Sequence, residues 1–597
     1  MLTPANISWR NKQPYAAQFD DIYYAEDGPA EVDRVFLTPC NLADQLPARL
    51  SVAEAGFGTG LNFAVLAERV IQQPSTRLTF TSFEAQPLSH KDWRKVAETY
   101  PHHTVYRSLA SNPPPLLPGW HQRVFADGRI VLNLFHGDIL AGLDDWLQHT
   151  QYGINAWFLD GFAPDRNPQM WSPALFKKIA ASSVSGARLA TFTVAGRVRR
   201  GLAEVGFQIE RIDQRPYKRE SLAATFTAPA ALVPMPVETG AAISVLGAGL
   251  AGAHVARQLA ERGLSVKVYD PLGPGGQNKH LPAILMHGRL LGDSSAQADL
   301  RVAALHAAMH HYQRLLPEDS QHACGALQLP GPNMDEAKLA RVAAAYDADN
   351  LQNIEWVSLL DPTAASVQAG VPIASSALYF PDAYVLSPSL VCTHLLDHPN
   401  IEIEHTAAGL DGTDQVLCCG SATRTLPGLD WLELHDVGGQ LTTLSLPEPG
   451  PNLAIVGNGY WLPRTQAAVI GSSYEHTPWS TERALAHNLE INQALLPDGY
   501  QASAQHRGSR CITSDRTPIV GPVDTRSDPA TELARKWLVT GLGSMGAVMA
   551  PYAASLIAGW VVDGFAPMTQ RIAKALAPER FIERQRRRGI NRQSRAR

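Results

Sequence analysis

No C-x-x-C pair and no Cys/His group at zinc spacing occurs anywhere in the chain. The six cysteines, Cys40, Cys324, Cys392, Cys418, Cys419 and Cys511, are scattered, which excludes the usual zinc modules and predicts no metal site. Scattered thiols suit a reducing compartment. The opening residues, MLTPANISWRNKQPY, lack the apolar core of a secretory signal, so a cytoplasmic protein is expected. Net positive charge is also missing: the sum is -5, which by itself argues against nucleic-acid binding. Long apolar runs are scarce. The run Met545 to Val562 is long enough to span a bilayer, but it carries Pro551, Tyr552 and Ser555 and follows a glycine-rich turn. It is read as a buried helix of an α/β domain, and no membrane association is expected.

What is present is length, and charge in clusters. A chain of 597 residues predicts several domains. Arginine and lysine crowd the segment from Gln570 to Arg597, against only Glu579 and Glu583. A second cluster comprises Arg197, Arg199, Arg200, Arg211, Arg215, Lys218 and Arg219. Such runs neutralise phosphates well. For the C-terminal segment a solvated, partly disordered tail is the alternative.

The stretch from Ile243 to Asp270 carries a definite pattern. Ile243 to Leu246 is a short apolar strand, and Gly247, Gly249 and Gly252 then give G-x-G-x-x-G. A helical pattern follows, then a strand from Ser265 to Tyr269, and Asp270 closes it. This predicts a dinucleotide cradle: the first glycine turns the chain, the second admits the pyrophosphate, and the third lets helix and strand pack closely. The helix N-terminus faces the phosphates, and Asp270 accepts from a ribose hydroxyl.

Some 240 residues precede that cradle, and they contain a second, denser glycine turn. After forty polar and aromatic residues comes SVAEAGFGTGLNF, with Glu54 just ahead of Gly56, Gly58 and Gly60. An acid followed by this spacing resembles the S-adenosylmethionine (SAM) loop of class I methyltransferases, where Glu54 would help bind the methionine ammonium. Three more acids end predicted strands: Glu84 for the ribose hydroxyls, Asp138 for the adenine amino group, and Asp160 within WFLDGFAP. Open α/β sheets bind ligands at the carboxyl ends of their strands. Methyl transfer to nitrogen needs a neutral amine aimed in line with the sulfonium methyl. Asp160 is the candidate to position that amine, with Phe162, Trp157 and Trp171 as an aromatic wall, although Trp157 suits a core equally well. Residues 227–240, rich in Pro and Ala, read as a linker.

In the second half, the loop after Asp270 is glycine-rich, and Arg289 could carry charge near flavin phosphates. GSRCITSDRTPIVG contains Arg510, then a strand enters Gly541-Leu-Gly543-Ser544-Met545-Gly546 and the apolar helix. A late glycine turn opening a helix is needed by flavoproteins of the amino-acid-oxidase type, where the helix N-terminus stabilises negative charge on the reduced ring. This favours FAD over a nicotinamide cofactor. Arg510 is the candidate anchor for a substrate carboxylate, by a bidentate pair; a structural salt bridge is the alternative.

The order AEAGFGTGLNF, SFE, GD, WFLDGFAP, VLGAGLAG, GSRCITSDRTPIVG, GLGSMG resembles the family of bifunctional tRNA 5-methylaminomethyl-2-thiouridine biosynthesis proteins along nearly the whole chain. The resemblance implies two α/β domains. One is a class I SAM-dependent methyltransferase over residues 1–235. The other is an FAD domain like glycine oxidase and D-amino-acid oxidase over 243–570, with a Rossmann part and an antiparallel substrate part. A linker at 236–242 joins them, and a basic tail occupies 571–597. It also implies tRNA as partner, through the wobble uridine of the anticodon, and a monomer. The implied reactions are FAD-dependent removal of the carboxymethyl group from 5-carboxymethylaminomethyl-uridine, then SAM-dependent methylation of the amine left behind. Glu54, Gly56, Gly58 and Gly60 match the SAM loop, Asp160 the acid of LDGFAP, Gly247, Gly249 and Gly252 the FAD turn, and Arg510 the carboxylate-binding arginine. Asp270 stands where glutamate is commoner, Lys279-His280 where small residues are expected, and Met545 where an arginine can occur. Two alternatives stay open: a fused small-molecule amine oxidase and N-methyltransferase, and a tRNA-binding protein with one inactive half.

Overall fold

The computed structural model describes residues 2–10, 13–24, 27–217, 219–236, 241–317, 321–332, 334–346, 356–407, 413–448, 450–464, 467–523 and 535–590. Lys218, residues 237–240 of the expected linker, and Arg592, Arg595 and Arg597 lie outside the described residues. The chain divides into two compact units, Met1–Thr239 with Ala558–Gln570, and Gly240–Ile557 with Arg571–Arg597.

The first unit is built on an eight-stranded sheet. From edge to edge its strands are Phe207–Asp213, Glu220–Phe226, Ser183–Thr191, Ile154–Leu159, Arg49–Ala55, Arg77–Glu84, Ile130–His136 and Gly119–Phe125. The strands from Ser183–Thr191 through Ile130–His136 are parallel, and the edges are closed by antiparallel partners. Their apolar runs are buried on both faces, as parallel strands covered by helices require. Strand order reverses at Arg49–Ala55, so a crevice opens at its carboxyl end. Register puts Ala55 beside Phe83 and Leu159, Glu84 beside His136, and Leu159 beside Thr191, so the loops that follow share one edge. A small sheet of Ile7–Arg10, Gln13–Ala16 and Asp21–Ile22 precedes it. Phe565, from the late stretch, is buried in this unit's core, 4.6 Å from the Trp120 ring.

Among the described residues the second unit has two large sheets and a small one of Ile284–Met286, Tyr384–Leu386 and Gln321–Ala323. One large sheet runs Ile401–Glu404, Ser265–Tyr269, Ala242–Leu246, Asp414–Leu417, Lys536–Thr540 and Ile519–Val523, parallel apart from the last strand. The other is an eight-stranded, mostly antiparallel sheet whose longest members, Leu434–Ser445 and Gln501–Thr513, pair along their lengths. The expected helix after the late glycine turn is present as Gly546–Ala558. Among the described residues, Gly543–Asp563 is the one helix long and apolar enough to cross a membrane, and it is mostly buried. The basic segment forms helices Gln570–Leu576 and Arg580–Arg587. Phe581 is fully buried, and Arg580, Arg584 and Arg588 pair with Asp515 and Glu433.

Candidate active sites

In the first unit, Gly56, Gly58 and Gly60 have φ of 91°, 53° and 71°, conformations that side chains disfavour. A Cβ on Gly56 would lie 2.2 Å from the Asp160 carbonyl oxygen, so the glycine turn runs directly against the LDGFAP loop. Glu54, ahead of the turn, is fully buried. It accepts hydrogen bonds from Asn62 Nδ2 at 2.9 Å and Ser82 Oγ at 2.8 Å. No Lys, Arg or His among the described residues pairs with it. Burial, reinforced by the charge of Asp160, pushes its carboxyl well above the usual range. A buried acid with donors but no cation fits the ammonium end of SAM.

Asp160 accepts from the same Asn62 Nδ2 at 2.7 Å. One amide thus spends its N–H groups on two carboxylates that the sequence separates by more than a hundred residues. Asn62, in the first turn of helix Leu61–Gln72 and itself buried, was not singled out from the sequence. The available signal was its place two residues past the glycine turn. Glu84 accepts from the Gly58 amide at 2.7 Å and the Gln86 amide at 2.8 Å. Burial raises its carboxyl, and these amides offset part of the rise. Asp138 lies at the same sheet edge but is exposed and caps helix Ile139–His149, accepting from the Leu140 and Ala141 amides.

The aromatic wall differs from expectation. Trp157 and Trp171 are buried in the core, because their strand and short helix turn them towards the packed face. Only Phe162 remains on the loop. Its ring stacks on Phe19 at 4.2 Å and meets Tyr23 edge-on at 5.4 Å. Arg166 pairs with Asp20 at 2.6 Å, so the N-terminal sheet is laid over the LDGFAP loop.

In the second unit the three glycines of the first turn can be told apart by space. Gly247 has φ 109°, and a Cβ there would lie 2.5 Å from the Cys418 oxygen. A Cβ on Gly252 would lie 1.7 Å from the Gly247 oxygen, which is the close helix–strand packing expected. At Gly249 nothing lies within 4 Å, the opening through which a phosphate can approach the backbone. Asp270 accepts from the Ala248 amide and the Leu272 amide, both at 2.8 Å.

One cavity of about 1310 Å³ is lined by this turn and by Gly541, Gly543, Ser544, Met545 and Gly546, almost three hundred residues later. Its size and paired glycine turns fit FAD. Arg510, Arg289 and Tyr460 line the same cavity. Arg510 lies on strand Gln501–Thr513, donating to Ser472 Oγ at 2.6 Å and the Gly438 carbonyl at 3.2 Å. It makes no ion pair with a described carboxylate. Arg289 donates to Ser544 Oγ at 3.0 Å. Burial, then the like charges of Arg301 and Arg510, lower its pKa. Two guanidiniums facing one cavity can hold an anion. The unexpected Lys279 and His280 point to backbone oxygens of Leu272 and Arg507. Among the described residues no cluster of three or more His, Cys, Asp or Glu is placed to hold a metal.

Two family models match the chain: a SAM-dependent methyltransferase family over residues 100–227 and an FAD-dependent oxidoreductase family over 242–560. A tRNA 5-methylaminomethyl-2-thiouridine biosynthesis bifunctional protein MnmC from Marinobacter nauticus is 31% identical over 98% of this chain and 98% of its own length. The protein of that name from Methylobacillus flagellatus is 32% identical over 98% of this chain and 96% of its own. The one from Ectopseudomonas mendocina is 31% identical over 97% and 98%. With matches of that identity along almost the entire length, and a methyltransferase and an FAD oxidoreductase in the same order, the chain belongs to the MnmC family of bifunctional enzymes.

Proposed function

We propose that the protein carries out two consecutive steps on the wobble uridine of tRNA. The flavin domain, assigned to residues 243–570, acts first, on 5-carboxymethylaminomethyl-(2-thio)uridine. FAD, when bound, supplies a two-electron acceptor. Arg510 holds the substrate carboxylate through its N–H groups, which fixes the carbon next to the amine for loss of hydride. Water then hydrolyses the resulting imine to the 5-aminomethyl base and glyoxylate. The methyltransferase domain, residues 1–235, acts second. Glu54 takes the ammonium of SAM and Glu84 its ribose. Asp160 accepts from the neutral substrate amine, keeping the nitrogen lone pair aimed at the methyl group. The product is 5-methylaminomethyl-(2-thio)uridine. We take it to act in the cytoplasm as a monomer.

The observation that carries the oxidative half is a single cavity holding both glycine turns and Arg510. Names of relatives over the full length support tRNA as the substrate. Mass spectrometry of tRNA nucleosides tests the reading. Asp160→Ala should accumulate the 5-aminomethyl base and Arg510→Ala the carboxymethylaminomethyl base. Wild-type profiles from both variants would overturn these roles. Faster turnover of free glycine or sarcosine than of hypomodified tRNA would support the small-molecule reading instead.

A further inference from the structure

The loops on the carboxyl edge of the first unit's sheet hold more than the cofactor acids. Leu159, just before Asp160, pairs with Thr191, and Thr191 pairs with Leu222. Strand Glu220–Phe226 runs antiparallel to Ser183–Thr191, so it starts at the carboxyl edge. The last pair of its hairpin is Asp213 with Glu220. The hairpin turn beyond that pair therefore projects from the edge that carries Asp160. Helix Gly196–Glu204 also begins there, a few residues after Thr191.

That turn is anchored. Gln214 is buried and donates to Ser221 Oγ at 2.8 Å and the Arg34 carbonyl at 3.1 Å. The Tyr217 amide donates to the Gln214 carbonyl at 3.1 Å. Yet the Tyr217 side chain is 68% exposed, the most exposed aromatic among the described residues. The Arg34 guanidinium lies 3.8 Å from its ring centroid, so one face is backed by a cation and the other is bare. A ring held this way loses little freedom on stacking, and its exposure has no role in the core.

The charges along this edge are unequal. Arg166, Arg197 and Arg215 are each paired with an aspartate, Asp20, Asp165 and Asp213. Arg211 faces Glu220 at 3.6 Å. Arg199, Arg200 and Arg219 have no carboxylate partner among the described residues. Arg200 and Arg219 are exposed. Unpaired arginines on the same sheet edge as a bare aromatic ring are the combination that holds unpaired nucleotides, by backbone charge and base stacking.

We propose that this edge is where the methyltransferase receives its RNA: an unpaired nucleotide next to the reacting uridine stacks on Tyr217, and Arg200 and Arg219 contact its flanking phosphates. The inference rests on the tRNA reading above. It deepens that reading by naming the docking surface and the single-stranded form of the RNA at the site.

The experiment uses the full-length holoprotein, SAM and tRNA carrying the 5-aminomethyl base. Tyr217→Ala should raise the KM for tRNA about tenfold, the loss expected for one base–aromatic stack. The kcat and the affinity for SAM should stay within about twofold of wild type, since the ring touches neither cofactor acid. Tyr217→Phe should keep the wild-type KM. Arg200→Ala with Arg219→Ala should flatten the salt dependence of tRNA binding, by a slope of about 1.4 for two lost phosphate contacts. An unchanged KM in Tyr217→Ala, or an unchanged salt slope in the double variant, would overturn the docking surface while wild-type methylation of tRNA leaves the functional reading standing. If the wild-type protein does not methylate this tRNA, the functional reading fails and the inference with it.

Discussion

Replacing Asn62 with leucine of similar size asks whether Glu54 and Asp160 work as a coupled pair. Asn62 donates to Glu54 at 2.9 Å and to Asp160 at 2.7 Å. Hydrogen bonds to charged groups contribute about 1.5–3 kcal/mol each. Glu54 can avoid part of its loss by keeping a proton, since burial already favours the neutral form. The net cost should therefore be about 2–4 kcal/mol rather than the sum of both bonds. In a unit of this size that lowers the unfolding midpoint by about 5–15 °C. The chemistry should change as well. Asp160 loses the donor that fixes its carboxylate beside the glycine turn, so the substrate amine is held less firmly in line with the methyl group. The kcat for methyl transfer, measured on aminomethyl tRNA with the intact protein, should fall about tenfold. A variant with the wild-type kcat and less than about 1 kcal/mol of lost stability would show that Asn62 does not couple the acids.

Two further outcomes come from the flavin unit. Gly252→Ala drives a methyl group to within 1.7 Å of the Gly247 oxygen, whereas at Gly249 the added methyl meets nothing within 4 Å. Gly252→Ala should cost about 3 kcal/mol in urea unfolding, while Gly249→Ala should leave stability within about 0.5 kcal/mol and weaken FAD retention in ultrafiltration. If Gly249→Ala retains FAD as the wild type does, the phosphate does not approach there. The second outcome concerns pH. His254 and His311 are buried and bonded to each other at 2.9 Å, and burial depresses both, His254 to about 3. The unfolded chain binds these protons below about 6.5 and the folded one does not. Stability is therefore fully present above 6.5 and lost as pH falls, by about 1.4 kcal/mol per pH unit for each excluded proton. His254→Gln should flatten the acid side of the unfolding profile. The same steepness in the variant would count against the histidine pair as its origin.

Much of the site was legible because its determinants are local. Positive φ at Gly56, Gly58, Gly60, Gly247, Gly541 and Gly543 is a property of short backbone stretches, and glycine marks it. Acids at strand ends could be named because an apolar run followed by a polar residue locates the sheet edge. The strand Gln501–Thr513 was harder to see. Its burial is intermediate almost throughout, so it shows no strong alternation, although it carries Arg510. Phe565 in the first unit's core had no signal at all, since its partners Trp120 and Trp146 lie more than four hundred residues earlier.

Residue order by itself determined the three glycine turns, their order, and the acids available at the first two, since turn geometry and strand termini depend on a few neighbouring residues. Only the tertiary structure decided which groups meet. It joined Glu54 to Asp160 through Asn62, sent Trp157 and Trp171 into the core while leaving Phe162 under Phe19, and brought two distant glycine turns and Arg510 to one cavity. Those encounters depend on sheet order, register and the face each side chain takes, which the whole packed structure sets together.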